Sequence, residues 1–201
     1  MSDQPSPSRT WSARHPWLSA MLRPSAYLPM ALLTFGGFIA GAIFWVSFDT
    51  MLSATSTDAF CTGCHSMRST VLTELLATRH GRNPMGVAAS CADCHIPHAF
   101  SAKLVRKIEA AREVWAELTF KVSTPEKFER HRWAMAEREW TRLKADNAAP
   151  CRTCHNVASM DLDTQPPAAA AMHRMRAATS QATCIDCHKG VAHKMPTPPG
   201  G

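Results

Sequence analysis

The sequence has no cysteine to spare: all eight fall in four C-x-x-C-H strings. None is left over for cross-links elsewhere, and cysteines three apart make no natural disulfide framework. Long basic runs are also missing, and so is any nucleic-acid fold signature. That sets nucleic acid aside as a partner, although the net charge is +6 and the pI near 9.0. Such a balance suits anionic lipid headgroups or an acidic protein instead. There is no βαβ pattern, so a thioredoxin-like C-x-x-C site has no scaffold. Charge itself is absent from Pro24 to Phe48.

That charge-free stretch is 25 residues long. As a helix it spans roughly 37 Å, enough for a hydrocarbon core of about 30 Å. A secretory signal peptide competes for the segment, but its apolar region is only about 7–15 residues long and leads to a small-residue cleavage site. Here the run is longer and follows a polar tail rich in Ser and Pro, and a retained anchor is the better reading. Arg9, Arg14 and Arg23 precede it, and Asp49 and Asp58 are the first charges after it. The positive-inside rule then puts the tail in the cytoplasm and the bulk of the chain outside. Gly37 and Gly41 form a G-x-x-x-G spacing that lets two helices approach closely, as in a homo-oligomer. Against that, glycine is simply common in membrane helices.

The four strings are Cys61-Thr-Gly-Cys64-His65, Cys91-Ala-Asp-Cys94-His95, Cys151-Arg-Thr-Cys154-His155 and Cys184-Ile-Asp-Cys187-His188. One such string suggests c-type haem attachment; four that consume every cysteine make the case strong. Two thiols three residues apart can each form a thioether to one haem, and the adjacent histidine then reaches the iron. Zinc also uses C-x-x-C pairs, but a zinc ribbon does not require a histidine after each second cysteine. Four haems leave few residues each for a side-chain core, so the haems themselves must supply much of the apolar interior and lie close together. The expected fold is mainly α with much loop and no significant sheet. The expected layout is a cytoplasmic tail (1–24), a transmembrane helix (25–48), a periplasmic tetrahaem cytochrome domain (49–195) and a disordered tail (196–201).

Two supporting helices are legible. Leu104, Ile108, Ala111, Trp115 and Leu118 recur at three- and four-residue steps over 101–120. A second helix starts near Ser123-Thr124-Pro125-Glu126, where Ser123 and Glu126 fit a capping box. Its stripe is Trp133, Ala136, Trp140 and Leu143, and it stops before Pro150. Residues 162–171 read as a linker into a short helix. The tryptophans suit packing on haem faces or at a membrane surface. Six histidines lie outside the motifs: His15, His80, His98, His131, His173 and His193. His15 belongs to the tail. The other five are candidates for second axial ligands, His131 the weakest because it sits on a charged helix face. His98 is too near His95 to bind the same iron from the opposite side.

Several longer strings carry a family resemblance. They are Asp58-Ala-Phe-Cys61-Thr-Gly-Cys64-His65-Ser-Met67, Cys94-His95-Ile-Pro-His98, Thr124-Pro-Glu-Lys-Phe-Glu129, Cys151-Arg-Thr-Cys154-His155-Asn and Cys184-Ile-Asp-Cys187-His188-Lys-Gly-Val-Ala-His193. Together, from about Ala26 to Met195, the chain resembles the NapC/NirT family of membrane-anchored tetrahaem quinol dehydrogenases, and its NapC branch in particular. The resemblance implies His80, His98, His173 and His193 as second ligands. It also implies Met67 in place of His65 at the first iron, which leaves one histidine too many and makes His98 the doubtful one. It further implies a quinol site near the first haem, drawn from Lys107 or Lys103 with Glu113. A carboxylate there can take a quinol proton and a lysine can orient the oxygen. The same residues would otherwise read as an ordinary solvated helix face.

The function implied is oxidation of a membrane quinol (ubiquinol or menaquinol) in the bacterial inner membrane. Electrons then pass to a periplasmic reductase, with nitrate reductase first in line. The competing reading is a passive carrier or haem-bearing anchor for another reductase, of nitrite or trimethylamine oxide, with no quinol site of its own.

Overall fold

The computed structural model describes residues 28–177 and 182–200. The described residues are helix and loop, with no strand. The chain divides into two units, Met1–Met51 and Leu52–Gly201. The expected tail at 1–24 lies outside the described residues.

The first long helix, α1 (Met30–Ala54), begins just after Pro29 and carries its apolar side chains outward. It has 25 residues, and an 18-residue window within it has a mean hydropathy of 1.9, long and apolar enough to cross a membrane. It ends beyond the charge-free run, because helical hydrogen bonding continues past Asp49 where lipid-compatible composition stops. Among the described residues a Cβ on Gly37 or Gly41 would meet nothing within 4 Å, so no contact there requires either glycine.

The second unit is a set of short helices arranged around two long ones. Asp58–Cys61 is α2. Then α3 (His65–Met67) runs through a π-helical turn (Arg68–Leu72) into α4 (Thr73–Leu76). The second motif forms α5 (Cys91–His95). The long helices are α6 (Phe100–Leu118) and α7 (Pro125–Ala145). Helix α8 (Ala149–Cys154), two 3-10 turns, α9 (Pro167–Ala177) and α10 (Cys184–Cys187) complete the unit.

The expected α7 cap is displaced by one residue. Thr124, not Ser123, is the N-cap and accepts from the Lys127 amide at 3.3 Å. Proline is favoured at the first helical position, and Pro125 there fixes the cap at 124. The α6 stripe also differs from expectation. Ile108, Trp115 and Leu118 are each more than 60% exposed, whereas Arg106 is buried. Periodicity located the helix but not the face that the polypeptide covers. Only seven apolar residues are buried among the described residues, among them Leu75, Val122, Phe128 and Ile185. That is a small side-chain core for a unit of this length, as expected where prosthetic groups form the interior.

Candidate functional site

The four motifs do not fold alike. Motifs two, three and four each place their cysteine pair on a helical turn, α5, α8 and α10. Two of these turns are pinned by their aspartates. Ser90 accepts from the Asp93 amide while Asp93 accepts from the Ser90 amide, a capping box, and Asp186 accepts from both the amide and the hydroxyl of Thr183. The aspartate of each C-x-D-C string therefore has a structural task. Motif one breaks. Helix α2 stops at Cys61, Cys64 is extended, and His65 and Met67 open a new helix that turns at once into a π-helical stretch. Such turns recur at functional sites. Ser66, between His65 and Met67, is fully buried and donates to Glu117 Oε2 at 2.7 Å. Met67 is half-buried and His65 exposed.

The motifs neighbour one another in chain order. The Cys91 amide donates to Asp58 Oδ1 at 2.8 Å, and the Cys61 and Cys91 sulfurs lie side by side. Cys94 lies near Cys151, and Cys151 near Cys184. Helix α7 bridges the second and fourth motifs. Arg142 donates to the Cys94 carbonyl at 2.9 Å, and Lys144 pairs with Asp186 at 2.7 Å.

Three motif histidines each face a histidine from elsewhere. Ring centres are 6.1 Å apart for His80 and His155, 6.2 Å for His95 and His193, and 5.9 Å for His173 and His188. A metal–imidazole bond is about 2 Å, so two nitrogens across one metal lie about 4 Å apart; the ring radii bring the centres to about 6 Å. The spacing therefore fits one iron per pair. Three of the rings are also oriented through Nδ1, as metal-binding histidines usually are. His80 Nδ1 faces Val191 O at 3.3 Å, His95 Nδ1 faces Glu139 Oε1 at 3.1 Å, and His173 Nδ1 faces Gln165 Oε1 at 2.6 Å. His98 is exposed and enters no histidine ring contact among the described residues. His131 is exposed and faces the Lys127 carbonyl of its own helix at 2.9 Å. Gly81 directly follows His80, where a Cβ would overlap the Leu75 carbonyl. Gly190, at φ 72°, makes the turn between His188 and His193.

Near the first motif, Lys107 on α6 donates to the carbonyl and, at 3.0 Å, to the Oγ1 of Thr55. Thr55 is the residue after α1. The Lys107 ammonium also lies 6.0 Å from the Phe60 ring centre. Burial pushes the Lys107 pKa down, and Lys103 and Arg106 add to the effect. Glu113 pairs with the buried Arg106 at 3.4 Å. Lys107 and Glu113, six residues apart on α6, project about 120° from each other around the helix, and each has its own partner. Glu117, one turn after Glu113, reaches into the first motif through Ser66.

The family model described as "NapC/NirT cytochrome c family, N-terminal region" matches residues 23–198. The chain belongs to the NapC/NirT cytochrome c family. It is 47% identical to the cytochrome c-type protein NapC of Paracoccus pantotrophus over 87% of this chain and 73% of that one. It is 44% identical to NapC of Escherichia coli K12 over 87% and 86%. It is 42% identical to the denitrification system component NirT of Stutzerimonas stutzeri over 89% of each. No solved structure matches the chain.

As a NapC/NirT protein it carries four c-type haems, and its four cysteine pairs fit C-x-x-C-H motifs. The structure places several residues around these sites that sequence reasoning missed: Glu117, Glu139, Arg142, Gln165, and the pair of half-buried Glu74 and buried Arg132. Glu139 and Arg142 stand three apart on a helix, a spacing that flags a pair. Nothing in the sequence links Glu74 to Arg132, 58 residues later. Their contact is bidentate, at 2.6 and 2.9 Å, and Glu74 Oε2 also accepts from the Lys194 amide at 3.0 Å beside His193. Burial pushes the Glu74 pKa up, but Arg132 and the Lys194 amide outweigh it and hold the carboxyl below its ordinary value.

Proposed function

We propose that this chain is anchored by α1 in the bacterial inner membrane and oxidises a membrane quinol beside its first haem. Electrons then pass to a periplasmic reductase, with nitrate reductase as the acceptor. The observation that carries this reading is the distinct first motif. It alone leaves the helical C-x-x-C pattern, and the half-buried Lys107 lies next to it, bonded to the residue that follows α1. A carrier with no entry site has no need for one motif to differ from the other three.

When bound, the haems supply one-electron carriers, so a quinol's two electrons leave singly. The protein's own residues manage the oxygens and protons. Lys107 is a donor whose charge is already disfavoured by burial, suited to hold a quinol oxygen. Glu113, a carboxylate 3.4 Å from the Arg106 guanidinium, is the acceptor for one of the two protons released. Met67, with its flexible thioether, serves the first iron in place of His65. The pairs His155/His80, His95/His193 and His188/His173 serve the other three, and His98 serves none. The arginines before α1 keep the tail on the cytoplasmic side.

The test is a reconstituted assay. The four-haem protein in lipid vesicles is given reduced quinol, and haem absorbance is followed before purified nitrate reductase is added. Haem reduction by quinol, followed by reoxidation with nitrate, supports the reading. Haems that stay oxidised with quinol yet accept electrons from a soluble donor assign the chain as a passive carrier instead.

A further inference from the structure

Helix α7 grips both sides of the His95–His193 contact. Near its start, Arg132 binds Glu74, which holds the Lys194 amide next to His193. Near its end, Glu139 Oε1 lies 3.1 Å from His95 Nδ1. The other oriented histidines end on neutral groups, the Val191 carbonyl and the Gln165 amide oxygen. Among the three histidine pairs, only this one has an ionisable oxygen acceptor recorded on a ring nitrogen.

Arg142 pairs with the same carboxylate: its Nη2 donates to Oε1, the oxygen that faces His95, and its Nε donates to Oε2 at 3.1 Å. The Glu139 carboxylate thus sits between the His95 imidazole and the Arg142 guanidinium. An imidazole that donates its Nδ1–H to a carboxylate becomes a stronger electron donor through its other nitrogen. More donation stabilises the oxidised iron and lowers its reduction potential, one of the levers by which a protein sets a haem.

We infer that Glu139 is a positioning residue for His95, and that it makes the second-motif haem the lowest in potential of the three histidine-paired haems. The inference rests on the reading that His95 and His193 bind one iron. The experiment is a redox titration of the full-length, detergent-solubilised four-haem protein, followed by absorbance and by electron paramagnetic resonance. Wild type is compared with Glu139→Gln and Glu139→Asp. Glutamine keeps an acceptor oxygen but removes the charge; aspartate keeps the charge but draws it back.

The expected result is that Glu139→Gln moves a single midpoint upward, the lowest of the low-spin set in wild type, and leaves the other three in place. Glu139→Asp moves the same midpoint by less, and keeps the test alive if the glutamine variant does not assemble. The inference is overturned if no midpoint moves, if all move together, or if a different haem moves. Fewer than three low-spin histidine-paired signals in wild type would instead remove the ligand reading beneath it.

Discussion

Lys107 and Glu113 stand on one helix, each held by a different neighbour, Thr55 for the lysine and Arg106 for the carboxylate. Their loss should therefore slow quinol oxidation without unsettling the fold. Replacing Lys107 with Met or Glu113 with Gln is expected to lower quinol-driven haem reduction by about 100-fold, the scale of a lost acid–base group. Reduction by a soluble donor should be unchanged; stopped-flow absorbance reads both. Glu74 belongs to stability instead. Its carboxyl lies below its ordinary value in the folded protein, so its contribution is complete above the unfolded glutamate value of about 4.3 and fades as pH falls through the folded one. The unfolding midpoint of wild type should thus exceed that of Glu74→Gln by a constant margin above about pH 5, and the margin should shrink on acidification. Thermal denaturation across that range is the measurement, and a margin that grows in acid contradicts the assignment. Residues of this kind divide sharply in legibility. Cysteines and motif histidines announce themselves by spacing. Glu74 and Arg132 meet only through the tertiary fold, and no local pattern could pair them.

At the scale of elements, α7 was readable in position and length but misread at its edge. The residues Ser123 and Glu126 satisfy the capping-box pattern, yet Pro125 claims the first helical position and hands the cap to Thr124. Thr124→Ala should cost about 1 kcal/mol of stability, the usual value of a lost N-cap. Ser123→Ala should cost little, and denaturant titration of the pair separates the two assignments. Helix α6 teaches a complementary lesson. Its apolar period was legible, but Ile108, Trp115 and Leu118 face away from the polypeptide's own small core. Periodicity records that a face is apolar; it does not record what covers it. The motif elements were partly legible too. The string Ser90-Cys-Ala-Asp93 shows the capping-box pattern in plain view, and Thr183 and Asp186 stand at the same spacing. The break in the first motif has a smaller sign, Gly63, where a Cβ would lie 3.1 Å from the Phe60 carbonyl.

For the whole molecule, α1 is the element on which location depends. Gly41 lies near its centre, and no atom within 4 Å would meet a side chain placed there. Arginine at the middle of a spanning helix costs about 2.5–3.5 kcal/mol on insertion scales. Gly41→Arg should therefore shift haem-stained protein out of the membrane fraction on cell fractionation. An unchanged distribution would argue that α1 does not span.

The three histidine contacts also differ in how much chain each one closes. His173 meets His188 across fifteen residues, a short local loop. His95 meets His193 across nearly a hundred, and that contact cannot form until His193 has been made. Loop closure costs grow with length, though slowly. During synthesis, then, the fourth-motif site can close as a local unit, whereas the second-motif site stays open until the segment around His193 folds back. That segment acts as the clasp of the assembly, and a truncation ahead of His193 should leave the second site unfinished while sparing the fourth.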